Sequence, residues 1–289
     1  MRYDQLPRSQ RVEDRRGRAL RTGGLGLGTI LLLGMLGWAT GINPLYLIGG
    51  AEFLSRVRGP TQPASETTGA GQADQTGQFV SAVLGSTEVQ WKDIFAQAGN
   101  VYQPPSLVMF SGATQSACGF AQAAMGPFYC PLDQKVYLDT SFFEDLQRRF
   151  QGCQVGSKSC EFAEAYVITH EVGHHVQNLL GILPQVQRAQ QQMDQVSANR
   201  LQVRVELQAD CFAGVWAHHA QQQWQFLEPG DIEAAMQTAS AIGDDRLQRR
   251  AQGYVVPDAF THGSSQQRVN WFMTGLKSGQ VSACDTFRQ

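Results

Sequence analysis

From Thr22 to Ala51 the chain carries no charged residue. Its centre, Leu25 to Trp38, is strongly apolar. About 20 such residues are enough to cross a bilayer as a helix, so this run divides the chain. Arg11, Arg15, Arg16, Arg18 and Arg21 precede it. The positive-inside rule then makes 1–22 a basic cytoplasmic tail and 23–48 a transmembrane anchor. Everything after the anchor is expected outside the cytoplasm, in a single-pass membrane protein. Asn43-Pro44 closes the helix, because proline disfavours helical geometry in the residue before it. The long basic segment and the lack of a nearby A-x-A-like site argue against a cleaved signal peptide. Residues 49–78 are dense in Gly, Pro, Ser, Thr and Gln and read as a flexible linker. The folded domain is expected over 79–289.

Apolar residues make up 42% of the 289 and charged residues 17%, a globular composition. A net charge of −2 offers no basic surface, so no nucleic-acid partner is expected. All six cysteines fall beyond residue 117, on the side assigned outside the cytoplasm, where disulfides persist. Fifteen pairings are possible. Short loops favour Cys118–Cys130 and Cys153–Cys160, leaving Cys211 and Cys284 as a long-range pair or Cys211 as a buried thiol. No C-x-x-C pair is present for a zinc-thiolate site.

The patterning predicts a helix over Phe79–Ala98 and short strands at 107–110 and 135–138. A helix capped at Thr140-Ser141 runs through Arg149. Further helices are expected near 161–180, 184–196, 198–225 and 230–242. A small sheet followed by helices is an α+β arrangement.

His170-Glu171-Val172-Gly173-His174 is an H-E-x-x-H match. On a helix the two histidines share a face and can hold one Zn²⁺, with Glu171 reaching the water beside it. Ala165, Ile168, Val172, Val176 and Leu179 form an apolar stripe on the other side. His175 lies toward that stripe and reads as a packed side chain. Gly173 suggests that something approaches the helix backbone closely.

A catalytic zinc needs a third protein ligand. Gln177 and Leu180 stand where the extended H-E-x-x-H-x-x-G-x-x-H pattern needs Gly and His. Glu206-Leu-Gln-Ala-Asp210 supplies a better source: Glu206 as ligand and Asp210 as the group that orients a ligand imidazole. Ala213 and Ala217 extend that face for close helix packing. His218-His219 is the weaker source.

H-E-V-G-H followed by E-L-Q-A-D resembles the gluzincin metallopeptidases, and its E-x-x-x-D element is similar to the HtpX-like and CAAX-protease group. The whole chain resembles the bacterial neutral zinc metallopeptidases, small membrane-anchored proteins. The resemblance runs through Ser116–Phe120, Tyr129–Pro131, Tyr137–Asp139, His170–Gln177, Glu206–Trp216, Thr261–Ser265, Arg268-Val269 and Ala283–Phe287. It implies a zincin-like domain, mostly helical with a small sheet, and a single catalytic Zn²⁺. It also draws attention to His262 in Thr261-His-Gly-Ser, where Gly263 replaces the proline of the related T-H-P-x motif. His262 would donate to the oxyanion, and Arg268 would orient that segment.

The expected activity is hydrolysis of peptide bonds in protein substrates outside the cytoplasm. His170, His174 and Glu206 hold the metal, Glu171 is the general base, and strand 107–111 or 135–138 holds the peptide. Two other readings compete. One is a catalytically silent zinc-binding scaffold anchored in the membrane. The other, an intramembrane protease, conflicts with Glu161, Glu164 and Asp194 around the motif.

Overall fold

The computed structural model describes residues 1–17, 74–122, 126–148 and 160–288. Among them, helices dominate and two small sheets accompany them, an α+β arrangement. The strands are β1 (Val12–Asp14), β2 (Ser106–Phe110), β3 (Ala113–Ser116), β4 (Gly119–Gln122), β5 (Phe128–Cys130) and β6 (Lys135–Asp139). The helices are α1 (Gln75–Gln97), α2 (Ser141–Arg148), α3 (Cys160–Leu179) and α4 (Ile182–Gln190). They continue with α5 (Gln195–Trp224), α6 (Asp231–Ala241), α7 (Asp244–Gln252) and α8 (Ser265–Ser278).

The main sheet has the order β1-β2-β6-β5. β1 and β2 pair in parallel, as do β2 and β6, while β5 runs antiparallel to β6. β2 is buried along Leu107–Phe110 and packs on both faces, as a central strand with a continuous apolar run should. Alternation sorts its side chains. Leu107 and Met109 join the main core, while Val108 and Phe110 meet Tyr137 and Cys130 on the opposite face. The β3–β4 hairpin is tied to the end of β5 by the Cys118–Cys130 disulfide.

Two helix crossings position the site. α3 meets α5 at Gly173, where an added Cβ would lie 3.0 Å from the Ala209 carbonyl oxygen. Ala209 is therefore the close neighbour that the motif glycine admits. α5 meets α8 through Gly214 and Gly275: a Cβ on Gly275 would strike the Cys211 carbonyl, and one on Gly214 that of Phe272. The Cys211–Cys284 disulfide fastens the chain end to the same helix. Closing a loop of that length removes about 4 kcal/mol of unfolded-state freedom in the chain-entropy account. Cys160 is also disulfide-bonded, and its expected partner Cys153 lies outside the described residues.

The N-terminal tail is corrected. Met1–Arg16 belong with Thr68–Gln289 to one compact unit. Met1 and Leu6 are buried in the main core. The Met1 amine lies 3.4–3.6 Å from Glu161, Glu228 and Asp231 carboxylates. β1 adds a parallel strand to the sheet. Arg15 and Arg16, expected to flank a membrane, pair with Glu13, Asp14 and Asp74 instead.

Parts of one folded unit lie on one side of any bilayer. A single crossing between residue 16 and α1 would separate them, so a cytoplasmic tail with an extracytoplasmic domain is overturned. Among the described residues no helix is long and apolar enough to cross a membrane. The segment 23–48, read as an anchor, and most of the 49–78 linker lie outside the described residues. The linker's last residues are helical: α1 begins at Gln75, with Asp74 accepting from the Gly77 amide at 2.6 Å. The positive-inside reading failed because it counts arginines without seeing which are paired within the fold.

Candidate metal centre

α3 carries the motif. Ala165, Ile168, Val172 and Val176 are fully buried on one face, and His170, Glu171 and His174 face a cavity of about 520 Å³ on the other. α5 supplies Glu206 to the same cavity. His170 Nε2 lies 3.2 Å, and His174 Nε2 3.4 Å, from Glu206 Oε2. The potential ligand atoms of the three residues lie within 4.8 Å of one another.

Each imidazole has its second nitrogen held. His170 Nδ1 donates to Asp210 Oδ1 at 2.8 Å, and His174 Nδ1 to Gln177 Oε1 at 2.9 Å. Both bonds direct Nε2 toward Glu206. Asp210 is fully buried and also accepts from the Tyr166 hydroxyl at 2.5 Å and from Arg268. Gln177 is fixed in turn by donating to Val205 O at 2.7 Å and Gln208 Oε1 at 3.0 Å.

The electrostatics favour a cation. Burial opposes charge on His170, but Asp210 and Glu206 outweigh it and hold its pKa up, at about 10. His174 is raised against burial by Glu206. Asp210, despite burial, is held down at about 2 by Arg268 and His170. Arg268 offsets the Asp210 charge, and the two imidazoles hold Glu206 well below its ordinary range despite burial. Two nitrogen donors and one oxygen donor, converging within 4.8 Å of one another, fit Zn²⁺.

His262 lines the same cavity with its side chain half-exposed. Its segment is held by Asp244, whose Oδ2 accepts from the backbone amides of Thr261, His262 and Gly263 at 2.6–3.1 Å. Gly263 stands where a related motif has proline because its φ is +93°, a value proline cannot adopt. Arg268 was expected to orient this segment; its guanidinium reaches inward to Asp210 instead.

His175 is packed, with Nε2 donating to Gln103 O at 2.6 Å and Nδ1 accepting from Tyr129 Oη at 3.0 Å. The His218-His219 pair takes no part: the two rings donate to the Leu276 and Gly279 carbonyls at the end of α8. Strands 107–111 and 135–138 were expected to hold a peptide. β2 and β6 are paired on both sides, and the edge strand that lines the cavity is β5, through Phe128 and Tyr129.

Sequence reasoning missed Tyr166, Gln177 and Gln202. Each lies three or four residues from a candidate ligand on its own helix, so helical spacing was the available signal.

Two helices on an α+β scaffold thus bring His170, His174 and Glu206 together as a group that could hold a metal ion, with Glu171 lining the same cavity. The chain belongs to the family described as putative neutral zinc metallopeptidase, whose profile matches residues 1–287. It is similar to the uncharacterized protein YpfJ of Escherichia coli K12, 46% identical over 99% of each chain. It is also similar to the uncharacterized protein Rv2575 of Mycobacterium tuberculosis, 43% identical over 72% of this chain and 69% of the relative. No solved structure matches the chain.

Proposed function

We propose that this protein is a zinc-dependent endopeptidase. The observation that carries the reading is the convergence of His170, His174 and Glu206 within 4.8 Å, beside Glu171, in one open cavity. His170, His174 and Glu206 would hold zinc, which when bound would supply a Lewis acid for the scissile carbonyl and a lowered pKa for water. Glu171 takes the proton of the attacking water and delivers it to the leaving amine. Asp210 and Gln177 keep the two imidazoles in the tautomer that offers Nε2.

His262 donates to the oxyanion. Its bond to Asp244 raises its pKa against the effect of burial. The substrate is an extended peptide: among the described residues β5 is an edge strand whose Phe128 and Tyr129 line the cavity, and Leu183, Val186 and Ile242 give it apolar walls.

Glu171→Gln is the direct test. It should bind zinc as the wild type does and lose cleavage of a peptide library by at least ~100-fold, the lower range for a general base. A Glu171→Gln protein that cleaves normally would exclude this mechanism.

A further inference from the structure

The two carboxylate oxygens of Glu206 have different surroundings. Oε2 faces both imidazoles, at 3.2 and 3.4 Å. Oε1 accepts a hydrogen bond from Gln202 Nε2 at 2.9 Å. Gln202 sits one turn earlier on α5, at the i, i−4 spacing that places side chains on one face. A carboxylate only accepts, so the Gln202 amide must turn its NH₂ group to Glu206. Its own Oε1 then accepts from Gln190 Nε2 at 3.2 Å. Gln190, on α4, donates with the same group to Ala198 O at 3.2 Å. One orientation of each amide satisfies the whole chain of bonds. Gln190 and Gln202 both line the cavity, on the side where α4 forms its wall.

We propose that Gln202 is a positioning residue that reserves Glu206 Oε1 and holds Glu206 to ligation through one oxygen. Gln190 fixes Gln202 in the donating orientation from α4. The inference rests on the zinc reading above and adds to it. A catalytic zinc keeps one position open beside three protein ligands. A Glu206 released from Gln202 is free to turn both oxygens inward and fill that position. The Gln202 bond is therefore what keeps room for water and a substrate carbonyl.

The test uses the full chain as wild type, Gln202→Leu, Gln190→Leu and Glu206→Gln. Two quantities are measured: zinc affinity by chelator competition, and the visible spectrum of the Co²⁺-substituted protein. Gln202→Leu should weaken zinc binding by roughly 10–100-fold, the range for partners of metal ligands. Its Co²⁺ band should fall in intensity from a four-coordinate toward a higher-coordinate signature. Gln190→Leu should move the spectrum the same way by less, and it carries the test if Gln202→Leu does not fold. A wild-type spectrum and affinity in these variants, with Glu206→Gln weakened, overturns the role of Gln202 alone. Unchanged affinity in Glu206→Gln, or no metal bound by the wild type, overturns the zinc reading and this inference together.

Discussion

Arg268 grips Asp210 with two nitrogens, Nε to Oδ2 and Nη2 to Oδ1, each at 2.9 Å, and both side chains are buried. The fork matches the carboxylate in a way that an ammonium cannot. Breaking a buried pair by removing one partner leaves an uncompensated charge and costs about 3–5 kcal/mol. Arg268→Gln should lose that much in urea unfolding measured with a chelator present. Its zinc affinity should also drop by about 10–100-fold, because Asp210 orients His170. Arg268→Lys should recover only part of either loss.

Gln177 does for His174 what Asp210 does for His170. Gln177→Leu keeps the volume and removes the acceptor for His174 Nδ1. It also removes the donors to Val205 O and Gln208 Oε1. The expected outcome is a zinc affinity lowered by about 10-fold or more. A stability loss of roughly 1–3 kcal/mol should follow from the buried Gln208 Oε1 losing its donor. Chelator competition and denaturant unfolding measure the two separately.

What could be read from the sequence was what helical spacing encodes locally. His170 and His174 are four residues apart, as are Glu206 and Asp210, just over one helical turn in each case, so a period of 3.6 residues was enough to pair them. Arg268 was not legible as their partner, because its contact with Asp210 spans 58 residues and depends on how α8 crosses α5. α8 does carry a readable start, the Ser264-x-x-Gln267 capping box. β1 was illegible for another reason. Three residues give no alternation to detect, and their partner strand begins at Ser106. The tail's arginines looked like a membrane signal because sequence counts charge and cannot show Arg16 paired with Asp14 and Asp74.

The crossing of α5 and α8 admits no side chain at Gly214 or Gly275. The obstruction at each is backbone, so neither helix can yield locally. Gly275→Ala should destabilise by about 1–3 kcal/mol or more, the range for overpacking. It should also lower zinc affinity, because moving α8 moves Arg268. The double variant with Gly214→Ala should cost less than the sum, since both relieve their clash by the same helix shift. Denaturant unfolding of the three variants gives the coupling directly.

His175 gives a pH dependence independent of catalysis. Its ring is fully buried, with Nε2 donating to Gln103 O and Nδ1 accepting from Tyr129 Oη, whose hydroxyl oxygen accepts from Asn178 at 3.1 Å. That arrangement needs the neutral ring, and burial lowers its pKa from 6.5 to about 4. The unfolded chain therefore takes up a proton near pH 6.5, before the folded one does. The stability due to the neutral ring is complete above that pH and is lost as pH falls toward 4. One pKa unit corresponds to about 1.4 kcal/mol, so the full loss is about 3 kcal/mol. Zinc release also accompanies acidification, so the measurement compares metal-free wild type with metal-free His175→Gln. The wild type's advantage at pH 7.5 should shrink by about 2 kcal/mol at pH 5, most of the way through that window. Parallel stability curves for the two proteins across this range would show that the buried ring does not titrate as its contacts require.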